Sequence, residues 1–283
     1  MEAKRNPVVQ IIRRWRVQAY LDFMWMTRDF KFFLINVVSD FILSLSGVVA
    51  VFLLAERFAG IGAWSQDQIL FMLGYAALVQ GLLEMFFSYN VLAVSRRIGR
   101  GQFDHTLVQP QPLWMALLTE GFMPFSGCWG FMVGLGISVW SLGRLDMASE
   151  PGWWLCYGVH LLSSCVVVLA FSYLWSALAF WSPVGAEEIS SRTISFAWQL
   201  KSFPLDGLHP LLAHGLLSVL PVGFVAWYPC RVLLGIDQGD GSLWTTPIFA
   251  CALSFVALIA IKKGMNQYGH TGSQRYLRWG HRS

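Results

Sequence analysis

The sequence predicts an all-α polytopic membrane protein, and three observations support this fold class. Hydrophobic residues make up 55% of the 283 residues, whereas charged residues make up only 13%. Six stretches are apolar and long enough to cross a hydrocarbon core of about 30 Å, which needs roughly 20 residues of helix. Because lipid offers no hydrogen-bond partner to an open strand, we expect these stretches to be helices.

The six predicted spans fill most of the chain and leave room only for short connections. They are Phe33–Ala55, Ile69–Val94, Leu113–Leu142, Trp153–Trp181, Leu211–Gly235 and Leu243–Ile261. We therefore expect a six-helix membrane domain over 33–261, an N-terminal segment over 1–32 and a tail over 262–283. No soluble domain of ordinary size fits among them.

The N-terminal segment carries the pattern of an amphipathic helix. Its apolar residues recur every three or four positions and form one stripe: Ile12, Trp15, Ala19, Phe23, Met26 and Phe30. Arg13, Arg14 and Arg28 lie off this stripe. The pattern predicts a helix in the membrane interface with its apolar side facing lipid. Whether this helix is a plain anchor or docks on another element stays open.

The positions of the basic residues predict how the chain is oriented. If the N-terminus lies inside, only Arg57, Arg144 and Arg231 of the 20 Lys and Arg residues fall on the outer side. This asymmetry predicts that both ends lie in the cytoplasm. The net charge of +4 is accounted for by anionic lipid headgroups, so we expect membrane lipids as partners and no nucleic acid.

The connection at 95–112 has an unusual composition for a simple tether. It contains two glycines, one aromatic residue and one acid, and it closes on two prolines. The composition predicts a structured element with a short helix, Phe103–Leu107, which Pro110 stops.

Two later segments are irregular. The residues over 182–210 include five charges, Glu187, Glu188, Arg192, Lys201 and Asp206, which predict a helix on the inner surface rather than a lipid-facing span. The fifth predicted span contains Pro221 and Pro229, each of which is expected to kink or break it. Small residues in the third and fourth spans predict close helix contacts: Gly127, Gly130, Gly134, Gly136, Ser163 and Ser164.

Three carboxylates within the predicted spans are candidates for the substrate path. Asp40, Glu84 and Glu120 would lie about 10–15 Å from the cytoplasmic boundary, at 1.5 Å per helical residue. Such residues are costly in lipid and often functional. They could form an acidic collar that attracts cationic or zwitterionic amphiphiles, or each could pair with a nearby arginine or cap a helix. Pro221 and Pro229 are further path candidates.

The motifs of several enzyme classes are missing from the sequence. It has no G-x-x-x-x-G-K-[ST] phosphate loop, no G-x-S-x-G nucleophile elbow and no H-E-x-x-H metal motif. The five cysteines show no C-x-x-C spacing, so they predict neither a metal site nor a disulfide framework. We expect no catalytic residue, bound metal or cofactor in this chain, and any ATP-driven motor would be another polypeptide.

Three motifs, in order, resemble those of the ABC-2-type permeases. The run from Arg97 to Pro110 is similar to the R-I-x-x-G-x-x-D-x-x-L-x-x-P signature after the second span. Leu220–Gly235 is similar to the family's P-x-x-F and P-x-x-x-L-L-G pattern. The tail from Gly264 to Gly272 resembles its G-x-x-x-Y-x-S-x-G ending, with His270 in place of the usual serine.

The resemblance implies the permease half of an ABC exporter of the bacterial inner membrane. Two permease chains, identical or different, would assemble with two cytosolic ABC ATPase subunits that bind ATP and Mg. The 95–112 loop would be the coupling element, and the N-terminal helix would be a connecting helix beside it. The implied ATPase-coupling residues are Arg97, Gly101, Phe103, Asp104, Leu107 and Pro110, with Phe103 anchored in a pocket of the partner. The transported substrate would be amphiphilic.

Two other functions stay open on the sequence alone. The run Glu187-Glu188-Ile189-Ser190-Ser191-Arg192 resembles the first motif of membrane-embedded CAAX-type proteases, although their later histidine motifs do not follow. A membrane-embedded hydrolase or transferase would be active without ATP. A non-catalytic membrane scaffold predicts no stimulation of a partner ATPase by substrate.

Overall fold

A computed structural model of the chain describes residues 7–57, 64–99, 101, 103–145, 150–201, 204–237 and 242–271. Its α-helices are α1 Pro7–Arg28, α2 Phe30–Arg57, α3 Gln66–Gly99, α4 Phe103–Leu107, α5 Leu113–Thr119, α6 Cys128–Leu145, α7 Pro151–Ala177, α8 Pro183–Leu200, α9 Pro210–Ser218, α10 Trp227–Leu233 and α11 Ser242–Thr271. Short 3-10 turns follow at Leu178–Phe180, Leu205–Gly207 and Pro221–Phe224. The predicted all-helical fold class is confirmed.

Five described stretches are long and apolar enough to cross a membrane. They are Phe30–Ala50, Gln66–Phe87, Cys128–Leu145, Pro151–Phe180 and Ser242–His270. A bent pair, Leu211–Ser218 with Pro221–Leu233, meets the same criteria when its two parts are taken together. The chain is therefore an integral membrane protein by the length and composition of its helices.

Helices α3 and α6 touch backbone to backbone through glycines. A Cβ added at Gly81 would lie 2.0 Å from the backbone nitrogen of Phe131, and one at Gly134 would lie 2.4 Å from that of Leu78. Any side chain at these positions would force the helices apart, so the contact requires glycine. The predicted close packing is confirmed for Gly134. It is wrong for Gly136, around which a Cβ would meet nothing within 4 Å.

The predicted third span, Leu113–Leu142, is not one continuous helix. It consists of α5 and α6, with a link over 120–127 between them. Gly121 lies so close to α3 that an added Cβ would be 2.9 Å from the Cα of Phe87, and the Met123 amide donates to the Met85 carbonyl over 2.8 Å. Pro124, which lacks an N–H group, favours this break. The crossing helix therefore begins at Cys128.

The prediction that 182–210 lies on the inner surface is wrong. At its start, Ala186 packs in the same buried cluster as Val94 near the end of α3. At its far end, Lys201 Nζ donates to Gln80 Oε1 in the middle of α3. Helix α8 thus runs antiparallel to α3 through the bundle and crosses it. Its charged residues do not exclude a crossing, because Lys201 finds a partner inside the protein.

The predicted fifth span, Leu211–Gly235, enters the bundle and returns. It begins after Asp206, which accepts a hydrogen bond from Trp64 Nε1 just before α3. It ends at Leu233, whose carbonyl accepts from Trp153 Nε1 over 3.0 Å at the start of α7. Both points lie at the same end of the bundle, so this segment does not cross. The break lies at the Pro221–Phe224 turn with a bend of 66°, as the proline predicted.

Pro229 lies in the first turn of α10, where the missing N–H costs no hydrogen bond, and it does not break that helix.

Helices α2, α3, α6, α7, α8 and α11 cross the bundle among the described residues. The predicted number of crossings is therefore reached with a different fifth member. The start of α2 and the end of α11 lie at the end that holds α4. We call this the α4 end and the opposite one the Trp64 end.

Candidate functional site

Gly101 reverses the chain between α3 and α4. Its φ of +64° lies in the left-handed region, which glycine adopts without steric cost. Its N–H donates to the carbonyl of Ile98 over 3.0 Å, which closes the turn after α3. This conformation folds α4 back against the end of the bundle, and it explains why glycine occupies this position in the loop.

Helix α4 spans Phe103–Leu107, which confirms the predicted short helix. The Phe103 side chain is only 2% exposed. Its ring meets Phe180 edge-on with centroids 5.6 Å apart and meets Tyr268 at 5.8 Å. The expectation that this ring is anchored in a partner's pocket does not fit the structure, because the ring is already buried in its own chain.

Asp104 fastens α4 to the last turns of α11. Tyr268 Oη donates to Asp104 Oδ1 over 2.6 Å. About one turn earlier, α11 also passes close to the same cluster, since a Cβ added at Gly264 would be 2.3 Å from the Phe180 ring. The loop motif and the tail motif, which lie far apart in sequence, therefore meet in one buried aromatic cluster.

Arg97 joins the end of α3 to the end of α5. Its guanidinium contacts Glu120 Oε2 at 2.6 Å, and both side chains are largely buried. At the other end of α5, Leu113 and Leu117 pack against the cluster around Phe103. Helix α5 is consequently held at one end by the aromatic cluster and at the other by the ion pair.

The outward side of α4 and the residues after it remain uncovered. Val108 is 85% exposed and Leu107 is 42% exposed. His105, Gln109 and Pro110 are exposed as well. We call these five residues the α4 face. Of the six predicted coupling residues, Leu107 and Pro110 lie on this face, whereas the other four hold the loop in place.

The three carboxylates proposed for the collar do not come together as unpaired groups among the described side chains. Glu120 is paired with Arg97. Glu84 accepts a hydrogen bond from Gln80 Nε2 over 2.7 Å, and Gln80 in turn contacts Lys201. The side chain of Asp40 lies outside the described residues. In the described part of the chain, no group of three His, Cys, Asp or Glu residues could hold a metal ion.

Helix α8 presents a polar stripe on its exposed side, which the sequence reading missed. Glu188 and Arg192 form an ion pair of 2.9 Å with side chains 69% and 80% exposed. Ser191, Ser195 and Gln199 are exposed on the same side, where they line an open groove with Leu220. The i, i+4, i+7 spacing would have revealed the stripe, but only once 183–200 is taken as a crossing helix.

The comparisons with known proteins show the family of the chain. The model of a family described as "ABC-2 family transporter protein" matches residues 41–272. Neither a curated protein nor a solved structure matches the chain at a significant level. The matched residues include α3, the α4 loop, Tyr268 and all the elements that bury Phe103. The chain therefore belongs to the ABC-2 family of transporter proteins, whose members are generally non-catalytic membrane subunits.

Proposed function

We propose that this chain is the permease subunit of an ATP-driven exporter and that a separate ABC ATPase docks on the α4 face. The observation that carries this proposal is that α4 is buried on one side and exposed on the other. Its inner side is fixed by Phe103 and Asp104, whereas its outer side exposes Leu107 and Val108 at the end of the bundle. A rigidly mounted element with an uncovered apolar surface is suited to receive a partner and to pass on its motion.

The polar stripe of α8 supports the second part of the proposal, in which two permease chains enclose the transport path. Ser195 and Gln199 are exposed on a helix that crosses the bundle. Polar groups on a crossing helix are rarely placed against lipid and usually face a water-filled cavity or another helix. We place the path along this stripe, closed by a second permease chain, identical or different. A cysteine in place of Ser195 would then react with a membrane-impermeant thiol reagent.

The proposed substrate is an amphiphile, either drug-like or lipid-like. An apolar body would stay in contact with the lipid-facing sides of the helices while a polar head follows the stripe of α8. The re-entrant segment around Pro221 and Pro229 would then shape the exit at the Trp64 end. In this proposal the α4 end faces the cytoplasm of a bacterial cell, ATP and Mg are bound by the partner, and transport is outward.

The direct test is co-purification of the tagged chain with the ABC ATPase encoded nearest to its gene. The double variant Leu107→Ala with Val108→Ala is expected to weaken this association by about tenfold, because truncating buried interface contacts commonly costs more than 1 kcal/mol. The matched control is Leu211→Ala with Leu212→Ala, since these leucines are also exposed but lie on α9. That control is expected to retain the ATPase fully.

Other outcomes distinguish the alternatives. Full retention of the ATPase by the α4-face variant would contradict docking at this face. Hydrolysis or group transfer by the purified chain without nucleotide would favour the membrane-embedded enzyme. An ATPase that binds the chain, but whose rate of ATP hydrolysis is the same with and without it, would favour the scaffold.

A further inference from the structure

Asp22 is a buried carboxylate on α1, a helix that lies outside the family match at 41–272. Only 5% of Asp22 is exposed. Its Oδ2 accepts from the Phe125 amide over 2.8 Å and from the Ser126 amide over 3.1 Å, and its Oδ1 accepts from Ser126 Oγ over 2.7 Å. One side chain thus satisfies three donors of a segment about a hundred residues away.

These three donors belong to the link that leads into α6. Phe125 and Ser126 immediately precede the helix, which begins at Cys128. A carboxylate at this place is favoured by the partial positive charge at a helix start, and charged hydrogen bonds are about twice as strong as neutral ones. Asp22 therefore holds the residues just before α6 in place from another helix.

Aromatic contacts place the same side of α1 on the same link. The Trp15 ring stacks on Phe122 with centroids 5.3 Å apart and meets Phe86 edge-on at 5.6 Å. Phe23, the residue directly after Asp22, contacts Phe125 with ring centroids 5.6 Å apart. Asp22 adds directed charged bonds to this contact, and these fix the register of α1 against the link.

The link is also held from α3 and continues into α5. Arg97 binds Glu120 at the start of the link, and the Met123 amide donates to Met85. Because α5 is joined to the α4 cluster through Leu113, α5 provides a continuous packed connection from α4 to this link. The link is therefore the place where α1, α3, α5 and α6 are connected.

We infer that Asp22 is a positioning residue that fastens α1 to the start of α6. When nucleotide drives a movement at α4, that movement then reaches α6, and α1 moves together with α6. This inference rests on the proposed function for its driving force. The fastening itself does not depend on the proposed function, because it is a property of the isolated chain. A purely stabilising role would leave the response of α6 to nucleotide unchanged when Asp22 is altered.

The native Cys128 supplies the probe, since it lies two residues after Ser126 and is partly exposed. In a variant in which the other four cysteines are replaced by alanine, N-ethylmaleimide labelling of Cys128 reports the opening of the link. In the purified chain, Asp22→Ala is expected to raise the labelling rate about fivefold, as losing strong hydrogen bonds makes local opening easier. Ser126→Ala removes one of the three bonds and is expected to raise it less.

The second measurement uses the permease bound to its ATPase, with and without ATP and vanadate. In the same background, with Cys128 as the only cysteine, its labelling is expected to change with nucleotide, and Asp22→Ala is expected to abolish that change. The conservative Asp22→Asn keeps one carbonyl acceptor and should preserve part of it. A variant that retains only Cys251, which is exposed on α11, controls for general loosening and should not respond to Asp22→Ala.

Each outcome bears on one claim. If Asp22→Ala and Ser126→Ala leave the Cys128 rate in the purified chain unchanged, the fastening is overturned. If Asp22→Ala keeps the full nucleotide response, or the wild-type complex shows none, the transmission to α6 is overturned while the proposed function stands. If Asp22→Ala fails to assemble, Ser126→Ala and Asp22→Asn carry the same comparison. If no ATPase binds the wild-type chain, the proposed function fails, and the labelling of the purified chain still decides the fastening.

Discussion

The two ends of the bundle are each organised around one aspartate, but among the described residues the aspartate at the Trp64 end joins more elements than the one at the α4 end. At the Trp64 end, Asp206 accepts from Trp64 Nε1, from Trp227 Nε1 over 2.6 Å and from Arg231. The guanidinium of Arg231 also lies over the Trp227 ring at 5.1 Å. At the α4 end, Asp104 accepts from Tyr268, and the α4 face beside it is exposed.

This difference is consistent with the proposal that a partner docks at the α4 end. The Asp206 cluster ties the end of α8, the start of α3 and the re-entrant segment to one another, so its polar groups are satisfied within the chain. The α4 cluster satisfies its inner side and leaves an apolar surface outside. Between the two ends, the glycine contact of α3 with α6 makes a rigid connection. The following predictions test how far this contrast holds.

The largest expected effect is on the connection between the two ends. Gly81→Ala would place a Cβ 2.0 Å from a backbone nitrogen of α6, which no change of rotamer can relieve. We expect a loss of about 3 kcal/mol in the free energy of unfolding, at the upper end for overpacking. The measurement is the thermal unfolding midpoint in detergent. Gly136→Ala on α6 is the control, where open space predicts little change; an equal loss there would contradict the close contact.

A smaller loss in the free energy of unfolding is expected at the Trp64 end. Asp206→Ala leaves two indole N–H groups and one guanidinium without their shared acceptor, and we expect it to cost about 2 kcal/mol. The unfolding midpoint in detergent measures this cost. The matched control is Asp67→Ala, which removes an exposed ion pair of 3.0 Å with Arg144 and should cost well under about 1 kcal/mol. Equal costs for the two variants would show that the Asp206 cluster does not hold the Trp64 end together.

The sequence predicted the class of the fold and several local features because these depend on short patterns. Apolar length alone indicated six crossings, and the residues from Phe103 to Leu107 were sufficient to predict α4. It could not identify α8 as a crossing helix, because Lys201 is stabilised by Gln80, a residue more than a hundred positions earlier. The same limit applies to Asp22, which lies beside an apolar stripe and whose three donors are on the link before α6, about a hundred residues away.

The motifs of the loop and the tail were found from sequence, but their contact was not. Phe103 seemed suited to a partner's pocket because nothing in the local sequence places an aromatic cluster next to it. The cluster forms from Phe180 and Tyr268, on two other helices, and it buries the ring. Residues whose role depends on distant parts of the chain are therefore the ones that the sequence assigned wrongly.

The smallest expected effect tests the α4 end. Tyr268→Phe removes the hydrogen bond to Asp104 and keeps the ring that packs against Phe103, so we expect a loss of about 1 kcal/mol. Amide hydrogen exchange over α4 and the unfolding midpoint measure it, with Tyr20→Phe as the control because Tyr20 is 62% exposed. We expect faster amide exchange in α4 with little change elsewhere, because this bond holds only α4, whereas Asp206 holds three elements together. A loss as large as that of Asp206→Ala would mean that both ends are fastened equally, which would contradict the contrast between them.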